Sequence, residues 1–476
     1  MQHNQHCGRF GPSLLNRRDM LQRAGLGFGS LALTWMLLED GLLQANNDVP
    51  TTGVGLRPTG STKSVIFLFM GGGPSQVDTW DPKPLLNRLN GQRVPESIAA
   101  GVPRIARAPL RGLFGSPYRF RRYGESGIPV SDMFPEIGQH VDDICVLRSC
   151  QHNSPIHAPA EYMTFTGTIQ GNRPSLGAWM YYGLGSENRN LPGFIVMKAG
   201  STLRPNALHA GFLPTRYQGT LVQATGIPNV RMPEGTSENH RHAQLNLIGG
   251  LNQHHLERHG GNSELEARIR SYELAFRMQT AAPEAFDLNR ETRETKTLYG
   301  IGQEETDEFG TFCLLARRMV ERGVRFIQLR SGGWDAHGNL TANHTPQGRK
   351  TDKPIAGLLA DLKRRGLLDS TLVVWGGEFG RTPAAENPGA ASPGRNHSPS
   401  GYSMWLAGGG VRGGQIIGAT DPVGYTAIEN PIHPNDLHAT ILHAFGINQR
   451  DLVYRHHNRN EMLTVNGGTV IEQVFG

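Results

Sequence analysis

The sequence is poor in cysteine and contains no cluster of like charges. Its 476 residues include 4 cysteines, and 47 Lys and Arg against 41 Asp and Glu give a net charge of +6. A chain of this length can bury a large core, which excludes a small fold held together by disulfides or a structural metal. Without a cluster of basic residues, the sequence shows no surface suited to binding a phosphate backbone, so nucleic acid is not an expected partner. The glycines have no three-residue period, which excludes collagen.

The first 45 residues have the pattern of an export signal. Arg17 and Arg18 precede a moderately apolar run over residues 24–38, which is too short to span a bilayer as a helix. This pattern predicts a twin-arginine signal, and hence the twin-arginine export machinery as a partner and a periplasmic or extracellular location. An uncleaved anchor or an ordinary helix is the alternative. A small residue, Ala45, is a candidate cleavage site, and residues 46–62 are predicted to be a linker.

Short apolar runs alternate with helical patterns in the rest of the chain. Six runs predict buried strands, at residues 63–70, 144–147, 194–197, 324–329, 371–375 and 402–407. Helical periodicity is present at residues 265–276, 309–320, 354–367 and 434–445. The alternation predicts an α/β domain over residues 63–476 with a mostly parallel sheet. Residues 200–262, rich in His, Asn, Pro and Gly, are predicted to be a loop-rich insertion over the rim of that sheet.

Polar loops follow several of the predicted strands. In an open α/β sheet the ligand crevice lies outside the carboxyl ends of the strands, so we expect these loops to meet at one rim. The candidates are Asp78 after the first run, Ser154 and His157 after the second, Asp335 and His337 after the fourth, and Glu378, Arg381 and His397 after the fifth. The loops also hold much of the glycine, which is 61 of 476 residues, about 13% against the usual ~7%.

Several of these candidates also have an ordinary structural explanation. Asp78 suits a turn or a helix N-cap. Asp335 and His337, two residues apart in a glycine-rich loop, suit metal binding or a simple hydrogen-bonded pair. Glu378 with Arg381 suits an ion pair beside the sheet.

Four longer motifs resemble a bacterial family of proteins that carry a domain of unknown function numbered 1501. The motifs are FLFMGGGPSQVDTWDPKP, HNSPIHAPAEYMTFTG, CLLARRMVERGVRFIQLRSGGWDAHGN and VVWGGEFGRTP. The resemblance runs from about residue 63 to the end of the chain. It implies an exported relative of the alkaline phosphatase and sulfatase superfamily, with a three-layer α/β/α sandwich. It also implies a site that hydrolyses sulfate or phosphate esters with one or two divalent metal ions, such as zinc, calcium or manganese.

The resemblance transfers to individual residues only in part. His157 falls on the nucleophile of the sulfatase signature, with Pro159 on the proline that follows it. The metal carboxylate of the first strand falls on Gly72. An Asp-His pair after a late strand becomes Glu378-Phe379, which keeps a carboxylate and loses an imidazole.

These correspondences predict an exported, metal-dependent hydrolase whose substrate is a small-molecule or polysaccharide ester. Asp335, His337 and His397 are expected to hold one metal, with Asp78 and Glu378 binding a second or supporting the first. Arg381 is expected to offset charge that develops on the substrate. His157 is expected to be a nucleophile, a general base or a ligand, with Ser154 as the alternative nucleophile.

A second class of function stays open. The loss of a carboxylate at Gly72 and of an imidazole at Phe379 favours a non-catalytic descendant of the fold. Such a protein would bind an extracellular glycan or a partner enzyme.

Overall fold

A computed structural model describes residues 56, 59–103, 109–188, 190–199, 207–224, 243–244, 246–252, 254, 278 and 284–476. The predicted signal, most of the predicted linker and the predicted helix at residues 265–276 lie outside these residues. The chain divides into two units, of which the larger comprises Pro50–Met232 and Ser263–Gly476. Among the described residues, no helix combines the length and apolar character needed to cross a membrane.

The larger unit contains sixteen strands and ten α-helices among its described residues. The strands are β1 (Ser64–Met70), β2 (Phe120–Tyr123), β3 (Ile128–Ser131), β4 (Ile144–Cys150), β5 (Phe194–Ala199), β6 (Thr220–Val222), β7 (Phe326–Ser331), β8 (Thr371–Gly376), β9 (Gly380–Ala385), β10 (Arg395–Ser398), β11 (Tyr402–Ala407), β12 (Gln415–Ile417), β13 (Ala419–Thr420), β14 (Ala427–Glu429), β15 (Val453–His456) and β16 (Arg459–Met462). The helices are α1 (Gln76–Thr79), α2 (Pro84–Arg88), α3 (Glu96–Ala99), α4 (Pro135–Gly138), α5 (His157–Thr166), α6 (Leu176–Leu184), α7 (Arg293–Leu298), α8 (Asp307–Glu321), α9 (Leu340–Arg364) and α10 (Pro434–Ala444).

An eight-stranded sheet forms the centre, in the order β12-β4-β11-β8-β1-β7-β5-β6. All six predicted strands belong to it, which confirms the α/β assignment. The sheet is mostly parallel, and the exception is β11, which runs antiparallel to both of its neighbours, β4 and β8. Within the segment predicted to be an insertion, β6 pairs with β5 and extends the sheet at one edge.

Side chains that alternate along β1 pack into two separate cores. Val65, Phe67 and Phe69 face a core that includes residues of α5, α6 and α10, whereas Ile66 and Leu68 face a core that includes residues of α8 and α9. Because successive side chains of a strand point to opposite faces, helices cover the sheet on both sides. This arrangement confirms the predicted three-layer α/β/α sandwich.

Helix α9 begins earlier than its sequence pattern indicates. The apolar periodicity starts near Pro354, yet the helix begins at Leu340 and continues through Pro346 and Pro354. Its first half is polar, but it still buries His344 and Thr351 against the rest of the molecule. The helix is therefore longer than apolar periodicity predicts, because its first half is held by buried polar side chains.

Four loops meet at one edge of the sheet. Strands β1, β7 and β8 are parallel, and β4 shares their direction because β4 and β8 are both antiparallel to β11. Their carboxyl ends therefore lie at the same rim, as predicted. Strand β10 immediately precedes β11, and Tyr402, the first residue of β11, pairs with Cys150, the last residue of β4. The end of β10 therefore also lies near this rim.

Candidate metal centre

Four of the predicted residues form a cluster at this rim. Each of His157, Asp335, His337 and His397 offers one ligand atom, and these atoms all lie within 4.8 Å of one another. His157 is the first residue of α5, and His397 lies on β10. Asp335 and His337 lie in the loop between β7 and α9. Three chain segments that are distant in sequence thus supply one side chain or one pair each.

Three of the ligand atoms form a compact triangle. Oδ1 of Asp335 lies 3.0 Å from Nε2 of His337 and 3.3 Å from Nε2 of His397. The two Nε2 atoms lie 3.1 Å from each other. Tetrahedral ligands at zinc–nitrogen distances of about 2.0–2.1 Å are separated by roughly 3.3–3.4 Å. The triangle therefore has nearly the dimensions of one face of a zinc coordination sphere.

The other nitrogen of each of these histidines meets an acceptor. Nδ1 of His397 donates to the carbonyl oxygen of Pro155 at 2.6 Å. Nδ1 of His337 pairs with the carboxylate of Glu386. A proton fixed on Nδ1 leaves the lone pair on Nε2, which is the arrangement found in metal-ligating histidines. The donor set and its supporting acceptors therefore fit a divalent metal such as zinc.

Glu386 was not predicted from the sequence. It lies in a loop rich in proline and glycine and has no regular spacing from His337, so no local pattern connects the two. Backbone hydrogen bonds join the loop that contains His337 to the segment that follows Glu386. Arg395 N donates to Ala336 O at 2.9 Å, and Leu340 N donates to Pro393 O at 3.1 Å. The contact is thus a product of the tertiary fold.

His157 lies between two carboxylates. Its Nδ1 is 2.6 Å from Oε1 of Glu378, and its Nε2 is 3.2 Å from Oδ2 of Asp335. Burial lowers the pKa of His157, but its interactions with Asp335 and Glu378 outweigh this effect and raise the pKa to about 9. Burial acts to raise the pKa of Asp335, yet His157, His397 and Arg381 hold it well below its usual range. The cluster is therefore a strongly coupled electrostatic unit.

Glu378 is completely buried behind His157. Its two carboxylate oxygens accept the backbone N–H of Gly72 at 3.0 and 3.2 Å. The next residue, Phe379, places its ring 4.4 Å from the ring of His397 and 4.9 Å from that of His157, measured between centroids. Glu378 and Phe379 thus fix two histidines of the cluster by a hydrogen bond and by ring contacts.

Arg381 does not face the crevice. The side chain is completely buried, and its Nη2 lies 2.6 Å from Oδ1 of Asp335. Its Nε donates to Gly73 O at 3.0 Å, and its Nη1 donates to Arg395 O at 3.1 Å. All three guanidinium nitrogens contact protein acceptors, and the expected role of Arg381 in offsetting substrate charge stays a prediction. Its structural partner is Asp335.

Two other candidates lie outside the cluster. Both oxygens of Asp78 contact the guanidinium of Arg395, at 2.7 Å from Nε and 3.1 Å from Nη2, and neither side chain is exposed. Oδ2 of Asp78 also accepts from Ser75 Oγ. Ser154 directs its Oγ toward Ile156 O, and its backbone N–H donates to Nδ1 of His152. The structure therefore gives Asp78 and Ser154 partners other than the metal ligands and His157.

The charges around the cluster favour a cation. Three carboxylates (Asp335, Glu378 and Glu386) contact its histidines, whereas one guanidinium, that of Arg381, contacts Asp335. His157, whose pKa is raised to about 9, adds a second positive charge, so one negative charge is left uncompensated at neutral pH. A cation bound by Asp335 would reduce the repulsion among these partly buried carboxylates.

The fold and this rim define an α/β/α protein with a histidine- and carboxylate-rich cluster at the carboxyl ends of its strands. The chain belongs to the family described as "Protein of unknown function (DUF1501)", whose model matches residues 62–475. A search of curated proteins finds no match.

Several solved structures show distant similarity. The PsFucS1 sulfatase from Pseudoalteromonas sp. is 14% identical, with 81% of this chain and 68% of that chain covered and a TM-score of 0.34. An alkaline phosphatase from the Antarctic bacterium TAB5 is 13% identical, with coverage of 82% and 99% and a TM-score of 0.33. A phosphonate monoester hydrolase from Silicibacter pomeroyi is 11% identical, with coverage of 72% and 72% and a TM-score of 0.35. Similarity at this level assigns no role to any residue of this chain.

Proposed function

We propose that this protein is a metal-dependent hydrolase of sulfate or phosphate esters, carried on a small molecule or a polysaccharide. The observation that supports it most is the triangle formed by Asp335, His337 and His397, whose dimensions fit a zinc ion. The ester class rests on the sequence motifs that resemble the alkaline phosphatase and sulfatase superfamily.

The ligands of the metal would be Oδ1 of Asp335 and Nε2 of His337 and His397. Two imidazoles and one carboxylate suit zinc better than calcium, which prefers an all-oxygen set. When bound, such an ion supplies Lewis acidity that polarises an ester oxygen. Glu386 and the carbonyl of Pro155 hold the two histidines in the tautomer that ligation requires.

His157 is the group placed to move a proton. Its Nδ1 is held by Glu378, so its Nε2 side is directed toward Asp335. A histidine in this position can hold a proton at Nε2 for the leaving oxygen, or take one from water. Arg381 keeps Oδ1 of Asp335 in place from the protein side.

The second candidate function is non-catalytic binding of a glycan or a partner enzyme. It is favoured by the glycine at position 72 and the phenylalanine at position 379, where the resemblance implies metal ligands. Such a protein would keep the fold and the rim but would not turn over an ester.

Metal analysis combined with ester assays separates the two candidates. We expect purified wild-type protein to contain zinc by mass spectrometry and to hydrolyse aryl sulfate or aryl phosphate esters. His337→Ala and His397→Ala should lose both the metal and the activity, whereas His443→Ala, at an exposed position of α10, should keep both. Bound metal without turnover of either ester class would favour the binding protein. Absence of metal and activity would overturn the hydrolase proposal.

We also propose export by the twin-arginine route. Replacement of Arg17 and Arg18 by lysine should leave the protein in the cytoplasm, as detected by cell fractionation. Unchanged export would reject this route.

A further inference from the structure

We infer that the centre takes a single divalent cation, that His157 lies outside its ligand set, and that Glu378 is the positioning residue for His157. This inference rests on the proposed function, because it presumes that Asp335, His337 and His397 bind a metal.

The two oxygens of Asp335 face different partners. Oδ1 meets the Nε2 atoms of His337 and His397 at 3.0 and 3.3 Å, whereas Oδ2 lies 3.2 Å from Nε2 of His157. A cation within the triangle would therefore be bound through Oδ1, with His157 on the other side of the carboxylate. A zinc ion with three protein ligands has one tetrahedral position open, as in catalytic zinc sites. A zinc ion with four protein ligands has no open position, as in structural zinc sites.

Glu378 is engaged by the protein on both oxygens. Each accepts the N–H of Gly72, and Oε1 also lies 2.6 Å from Nδ1 of His157. The side chain is completely buried. A carboxylate enclosed in this way orients the imidazole in front of it, and a second cation would have to displace those partners.

Neither Gly72 nor Phe379, which lie beside Glu378, supplies a side-chain ligand for a second ion. Gly72 has φ +113°, and a Cβ placed on it would lie 2.5 Å from the backbone nitrogen of Asp335. No side chain can therefore reach the centre from position 72 unless the Asp335 loop moves. On the other side, the buried ring of Phe379 packs against His157 and His397 and offers no ligand atom.

Zinc titration of the chelator-treated full-length chain tests the inference. We expect wild type to bind one zinc per chain, counted by mass spectrometry after dialysis, with Kd measured by competition against a chelator. His157→Gln and Glu378→Gln should keep one zinc, with Kd within about threefold of wild type. Glu386→Gln is the matched control, because Glu386 supports a proposed ligand; its Kd should rise by about 10–100-fold.

A second measurement reports the positioning role directly. The Nδ1 proton of His157 should give a downfield proton resonance, assigned by its loss in His157→Gln. Glu378→Gln should remove that resonance while zinc content stays close to wild type. A resonance that persists in Glu378→Gln would overturn the positioning role.

The outcomes separate the two proposals. Two zinc ions per wild-type chain would overturn the single-cation inference and leave the proposed function intact. One zinc with a Kd raised more than tenfold in His157→Gln would make His157 a ligand and overturn the open site. No zinc in wild type would overturn the proposed function, and this inference with it.

Discussion

Nδ1 of His157 lies 2.6 Å from Oε1 of Glu378, a carboxylate with no solvent exposure. His157 itself is about one-fifth exposed and is the first residue of a helix. A hydrogen bond to a buried charge restricts the rotation of the imidazole and is stronger than one between neutral groups. The partly exposed imidazole is therefore fixed at the crevice with one nitrogen toward the protein and the other toward Asp335.

We predict that His157→Gln lowers kcat by 10²–10⁴-fold, the usual contribution of a positioned proton-transfer group. Bound zinc should stay at the wild-type level. Ser154→Ala is the control, because Ser154 contacts Ile156 O and His152 rather than His157, and it should keep kcat within about threefold. Steady-state kinetics on an aryl ester, with metal analysis of each variant, measures both effects. Loss of activity in Ser154→Ala with activity retained in His157→Gln would make the serine the nucleophile.

The buried pair formed by Asp78 and Arg395 gives a prediction about stability. Asp78→Asn should lower the free energy of unfolding by about 3–5 kcal/mol, because it leaves a completely buried guanidinium without its counter-charge. Zinc content should not change. The double variant Asp78→Asn, Arg395→Gln should recover part of the loss. Denaturant unfolding followed by fluorescence provides the measurement, and loss of one zinc from folded Asp78→Asn would restore Asp78 as a ligand.

The central sheet could be predicted because its strands are buried on both faces. A strand covered on both sides is a continuous apolar run, and all six such runs became strands. The direction of β11 could not be predicted, because a buried antiparallel strand has the same composition as a parallel one. The early start of α9 was missed for a related reason: His344 and Thr351 are polar but buried.

The site was predicted at the level of loops and only partly at the level of side chains. Loops that follow parallel strands must meet at one rim, so His157 and Asp335 could be expected near each other. Sequence does not tell whether a side chain in such a loop faces the crevice or the protein interior. Asp78 and Arg381 are both turned inward by partners in other segments, and Arg395 lies 317 positions from Asp78. Only the tertiary structure supplies those partners.

The glycine at position 72 should be intolerant of any side chain. Gly72→Ala adds a Cβ that would lie 2.5 Å from Asp335 N, at a φ of +113°. Gly91→Ala is a matched control, since Gly91 has φ +80° and nothing within 4 Å of the added atom. We expect Gly91→Ala to lose about 1–2 kcal/mol of stability through backbone strain alone, and Gly72→Ala to lose more and to bind zinc less tightly. Equal losses in the two variants, with equal zinc affinity, would contradict the close packing of Gly72 on the Asp335 loop.

A buried histidine away from the site should make stability depend on pH. Burial lowers the pKa of His438 to about 4, while its Nε2 contacts Thr164 O at 2.8 Å. Between pH 6.5 and 4, His438 is protonated in the unfolded chain, where its pKa is about 6.5, but stays neutral in the folded chain. The free energy of unfolding therefore falls as pH decreases from about 6.5 to 4. This group alone accounts for a loss of up to about 3 kcal/mol over that interval.

His438→Gln should reduce that loss, because the glutamine amide can donate to the same carbonyl without titrating. Unfolding by urea at several pH values, on chelator-treated protein so that metal release does not contribute, should show a shallower decline for the variant. His443→Gln changes an exposed histidine on the same helix and should retain the wild-type slope. If His438→Gln and wild type decline in parallel between pH 6.5 and 4, then His438 is not the group that resists protonation in the folded chain.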